Sequence, residues 1–125
     1  MTAVEVDQKK WEQFCDRVQA TCQGAMVTID EMNADGSRKT IVQNMPLLKV
    51  ALDDKSDPCN TNIIIEAGLP NQKPICHVVV EPIHIRAKSE TGDRYNTLQI
   101  EAENGNTIVP FHPCLNPAWL KDFQP

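Results

Sequence analysis

The sequence predicts an α+β domain that is mostly β: an N-terminal amphipathic helix packed on a bent antiparallel sheet, or partly open barrel, of about seven strands, with a short C-terminal helix. Three observations carry this. One apolar stripe recurs at helical spacing near the N-terminus. Short β-branched segments separated by turn residues fill the remainder. No strand–helix–strand alternation, which a parallel sheet requires, is present. The 125 residues are expected to form a single domain, 1–125, because a chain of this size buries roughly two-thirds of its unfolded surface without needing a metal or disulfide.

The helix is defined by Trp11, Phe14, Cys15, Val18 and Cys22 on one face, with Lys9, Glu12, Gln13, Asp16 and Gln19 opposite. Asp7 has the short acceptor side chain of an N-cap, and Val6 is placed to staple onto Trp11. Gly24 supplies the left-handed residue that ends many helices.

Strand signals follow in series. Met26–Met32 runs into the turn "NADGS", and Arg38–Met45 returns from it, Asp35-Gly36 being a favourable turn pair. Pro46 is expected to end that strand and start another, "LLKVAL", before a polar loop over 53–62. "IIIE" at 63–66 has the look of a buried strand. Three further segments follow: "PICHVVVEPIHIR", "YNTLQIEAE" and "TIVPF". Asn116 and Pro117 suit the N-cap and first position of a short closing helix.

A hairpin about Asn104-Gly105 places Ile100 opposite Val109 and Leu98 opposite Phe111, all on the core face. A second hairpin about Thr91-Gly92 sets Ile83 opposite Ile100 and Ile85 opposite Leu98. The reverse face then collects His84, Arg86, Thr97, Gln99 and His112 as a polar binding surface. Pro82 predicts a bulge that turns Cys76, Val78, Val80, Ile83 and Ile85 inward, and His77, Glu81, His84 and Arg86 outward.

Little in this pattern points to chemistry. Cys76 and His77 are strand neighbours and leave opposite faces, so they form no nucleophile–base pair, and Cys76 is expected in the core. His77 and His84 are about 20 Å apart along a strand and cannot share a metal. No metal site and no cofactor are expected. The aspartates at 53, 54 and 57 lack the spacing of a calcium loop, and Trp11 and Phe14 belong to the core rather than to a stacking platform.

A net charge of −5 argues against nucleic acid, and apolar runs such as Val78–Val80 are too short to cross a membrane. Five cysteines without a Cys-x-x-Cys spacing suit reduced thiols in the cytoplasm.

The Trp11/Phe14 helix, Pro46-Leu47, Pro82 and the Leu98-Ile100-Glu101…Gly105 block together resemble a family of small single-domain bacterial proteins of unknown function. The resemblance implies a bacterial cytoplasmic protein and assigns no activity. The function expected from the residues is a non-enzymatic module that acts through a protein partner or a homo-oligomer. The alternative is a small-ligand or metal-binding protein, or a hydrolase-like enzyme, with a pocket bordered by His84, Arg86, His112 and Cys114.

Overall fold

A computed structural model describes residues 2–53, 62–89, 95–103, 105–115 and 120–123. After β1 (Thr2–Glu5), a 3-10 turn over Gln8–Lys10 leads into α1 (Trp11–Cys22). The strands β2 (Met26–Asn33), β3 (Arg38–Asp53), β4 (Asn62–Ala67), β5 (Ile75–Val80), β6 (Pro82–Ser89), β7 (Tyr95–Ala102) and β8 (Gly105–Leu115) follow, and a second 3-10 turn spans Lys121–Phe123. The fold is α+β and mostly β, as the sequence predicts. Asn116 and Pro117, the predicted start of a closing helix, lie outside the described residues.

The predicted helical stripe is the dry face: Trp11, Phe14, Cys15, Val18 and Cys22 are all buried. Asp7 caps the leading 3-10 turn by accepting from the Lys9 amide, and the buried Trp11 Nε1 donates to the Val6 carbonyl at 3.3 Å. Gly24, at φ +88°, ends the helix. The helix lies on β3, where Gln19 Oε1 accepts from the Val50 amide, and Phe14 meets Phe123 edge-on at 5.5 Å.

All eight strands form one open antiparallel sheet in the order β1-β6-β7-β8-β2-β3-β4-β5. Eight replace the predicted seven for three reasons. β1 was not legible, "PICHVVVEPIHIR" divides into β5 and β6, and β3 runs unbroken through Pro46. At that proline β3 changes neighbours: Pro46 faces Met26 of β2, whereas Leu47 onward faces β4. A residue without an N–H is tolerated where the ladder passes from one partner to the other.

β5 ends this order and β6 stands next to its other end, yet the two are joined by Glu81 alone. The sheet therefore curls until its ends approach. Glu81 takes the left-handed conformation, φ +50°, and its amide donates to Asn62 Oδ1. The corner separates the two strands, so β5 keeps its own alternation. Val79 is buried and His77 half-buried, whereas Cys76, Val78 and Val80 are exposed. This reverses the expected orientation of β5 and takes Cys76 out of the core. A register shift between Pro82 and His84 also turns Ile83 outward.

The β7–β8 hairpin pairs Ile100 with Thr107 and Leu98 with Val109, two residues from the expected register. β6 is displaced likewise, with Ile85 opposite Ile100 and Ala87 opposite Leu98. A shift of two preserves the faces. Leu98, Ile100, Val109 and Phe111 are therefore buried as predicted, and Ile85 and Ala87 complete the row.

Gly105, at φ +149°, sits where an added Cβ would lie 2.2 Å from the Met32 carbonyl oxygen, whereas Gly36, at φ +90°, has open space around it. Gly36→Ala is expected to cost about 1–2 kcal/mol from backbone conformation alone. Gly105→Ala must also separate β2 from β8 and should cost clearly more, as read from urea unfolding midpoints of the two variants.

Candidate functional site

The outer face of β1, β6 and β7 carries an ion cluster. Strand alternation sends His84, Arg86 and Lys88 outward from β6 and Thr97, Gln99 and Glu101 outward from β7. Arg86 bridges two carboxylates, with Nη2 3.3 Å from Glu5 Oε1 and Nη1 3.4 Å from Glu101 Oε1. His84 lies between the same pair, Nδ1 3.1 Å from Glu5 Oε1 and Nε2 3.8 Å from Glu101 Oε2. Four side chains thus strap the N-terminal strand to the sheet. Each pair is part-exposed, a setting in which an ion pair contributes roughly 0.2–1 kcal/mol.

Of the five residues expected to share a polar face, His84 and Arg86 are brought together by carboxylates that the sequence argument did not include. Glu5 was missed because its strand was missed. Glu101 lies two residues beyond Gln99 on the same face of β7, and the two-residue displacement brings it opposite His84. Thr97 and Gln99 lie farther along the same face. His112 pairs with Met26 across β8 and β2; its side chain and that of Cys114 lie outside the described atoms.

Thr97 and Gln99 instead line a cleft of about 380 Å³ with Arg38, Lys88, Ile108 and Pro110. Arg38 donates through Nη2 to Asp30 Oδ2, and Thr40 donates to Asp30 Oδ1 at 2.7 Å. Burial pushes the Asp30 carboxyl upward, but the Thr40 and Arg38 hydrogen bonds and the guanidinium charge hold it below its ordinary value. Gln99 Nε2 donates to Asn106 Oδ1, and Gln99 Oε1 is covered without a hydrogen-bond partner among the described residues.

His77 enters a smaller cleft, of about 150 Å³, where Glu31, Ala102, Asn106 and Thr107 meet β5. Its Nε2 lies 3.1 Å from the buried Thr107 hydroxyl. Burial pushes the imidazole below its ordinary value of 6.5, and the Glu31 charge pulls it partly back. A neutral histidine bonded to a hydroxyl ties β5 to β8. The space is well under the roughly 300–1,000 Å³ typical of ligand pockets. Among the described residues, no group of three or more His, Cys, Asp or Glu is arranged to hold a metal, and no helix is long and apolar enough to cross a membrane.

The cysteines differ sharply. Cys15 is buried beside Asp16, and desolvation followed by that charge pushes its thiol up to about 12; burial also raises Cys22. Cys76 is exposed.

The mixture of a Trp-led helix, a curled antiparallel sheet and a Gly105 contact is accompanied by a match of residues 2–117 to DUF5335, a family of unknown function. The chain belongs to this family. The DUF5335 match covers nearly the whole domain, from β1 to just beyond β8. No curated protein and no solved structure matches the chain.

Two outcomes follow from the titratable groups. The folded state disfavours protonated His77, so its contribution to stability is full above about pH 6.5 and is lost as pH falls through the depressed folded-state value. Urea midpoints should therefore drop more between neutral and mildly acidic pH in the wild type than in His77→Gln. A soluble disulfide reagent should label Cys76 well ahead of Cys15 and Cys22, as mass spectrometry after timed quenching would show.

Proposed function

We propose that the protein is a non-enzymatic self-association module whose contact surface is the edge strand β5 together with Val78, Val80 and Ile83. The observation that carries this reading is the exposure of those three side chains, 44%, 60% and 48%, on a terminal strand and its corner. Exposed edges in soluble proteins are normally protected by shortness, charge, proline or bulges. β1, the opposite edge, follows that rule: it is four residues long and ends at the ion-paired Glu5. The segment "ICHVVV" has six residues, no charge, no proline and an uninterrupted register with β4.

A second copy of the same chain is the occupant favoured here. An uncharged strand lets two molecules of net charge −5 approach without placing like charges face to face. Two copies of one edge meet antiparallel about a two-fold axis, which extends both sheets with the same six residues from each side. Such a contact falls at or below the roughly 1,200 Å² that marks stable interfaces, so the dimer is weak and concentration-dependent. A bacterial intracellular setting suits it, because the exposed Cys76 on the same strand face stays reduced there.

Sedimentation velocity across a concentration series should show a reversible monomer–dimer equilibrium that strengthens with salt, as repulsion between the anionic copies is screened. Val78→Lys should shift it to monomer, and alkylation of Cys76 should slow as wild-type concentration rises. A wild type that remains monomeric throughout, with Cys76 alkylated at a concentration-independent rate, would sink the proposal.

A further inference from the structure

The outer-face cleft is separate from the β5 surface and has a different chemistry. The geometry points to binding of a small organic oxyanion, a carboxylate or phosphate bearing a short apolar tail, between Arg38 and Lys88 over Ile108 and Pro110. A volume of about 380 Å³ lies within the range of small-ligand pockets, which is roughly 300–1,000 Å³.

Charge supplies the second argument. The chain is acidic overall, yet the charged side chains described around this cleft are both cations. Arg86, close by on the same face, is held between two carboxylates. Lys88, by contrast, has no ion-pair or hydrogen-bond partner among the described residues. Arg38 engages Asp30 through Nη2, leaving other N–H donors of its guanidinium, and Asp30 is itself fixed by Thr40. A carboxylate held on both oxygens therefore orients the arginine before any ligand arrives, which lowers the ordering cost of binding.

The lining supplies the third. Ile108 and Pro110 give the cleft an apolar floor, flanked by the hydroxyl of Thr97 and the amide of Gln99. A bare inorganic ion would meet the cations and leave that floor uncovered. A tail of three or four carbons covers it, so both parts of the ligand contribute.

The test is a titration of isotope-labelled full-length protein, followed by amide chemical shifts at constant ionic strength. The probes are butyrate, butyramide as its neutral counterpart, and inorganic phosphate. Butyrate should shift the amides of Lys88, Thr97, Gln99 and Ile108 saturably, at least about tenfold more tightly than butyramide, because the charge-assisted contacts are absent from the amide. Saturation by phosphate as well, more weakly than by butyrate, assigns the cleft to oxyanions in general; saturation by butyrate alone narrows it to carboxylates; saturation by phosphate without butyrate means that the apolar floor plays no part and overturns the proposal. Lys88→Gln should weaken whichever anion binds by roughly three- to tenfold, with the rest of the spectrum unchanged. Lys49→Gln, an exposed lysine outside the cleft, should leave binding unchanged. The proposal is overturned if neither anion saturates the shifts up to about 100 mM, if butyramide binds as well as butyrate, or if Lys49→Gln has the same effect as Lys88→Gln.

Discussion

The architecture depends on a one-residue link. Glu81 connects a strand at the end of the hydrogen-bonded order to one next to the opposite end, and a single residue spans only about 3.3–3.6 Å of chain. A flat sheet cannot satisfy that connection. Curling brings β5 beside the β7–β8 hairpin, creates the His77–Thr107 contact and encloses the apolar row of Ile85, Ile100 and Val109. The left-handed Glu81 carries backbone strain of about 1–2 kcal/mol, which the buried core on either side offsets.

Much of the fold was legible because it is written in periodicity. The α1 stripe and the inward row of β7 and β8 follow from spacings that only one burial pattern satisfies. Faces survived where registers did not, since a two-residue slip conserves parity. What failed was the reading across Glu81-Pro82. The bulge expected at Pro82 aligned Cys76, Val78 and Val80 with the isoleucines of β6, when the corner at Glu81 makes the two strands independent and leaves His77 and Val79 facing inward. Pro46 misled in the opposite direction: its meaning depends on a change of neighbour that local sequence does not record. β1 was invisible because four residues carry too little alternation to stand out.

The candidate sites show the same division. The outward placement of His84, Arg86, Thr97 and Gln99 followed from alternation, but the Glu5 that His84 and Arg86 share and the Arg38 that joins Thr97 and Gln99 at the cleft come from distant parts of the chain. Glu5 is contributed by a strand more than eighty positions from Arg86, and Arg38 arrives from the far side of β2. Spacing along one strand identifies which side chains share a face. Which of them are neutralised and which retain unused donors is decided by tertiary pairing, so Arg86, held between two carboxylates, and Lys88, without a partner among the described residues, look alike in sequence.

The pairing of β1 with β6 gives synthesis and assembly opposite orders. Thr2–Glu5 precedes its template, Arg86–Ser89, by more than eighty residues, so it is made well before the strand it pairs with. Long-range closures of this kind carry the loop entropy that slows β-rich folding. During elongation on the ribosome β1 has no ladder to join, so α1 and the β2–β3 hairpin are in place before β1 can dock.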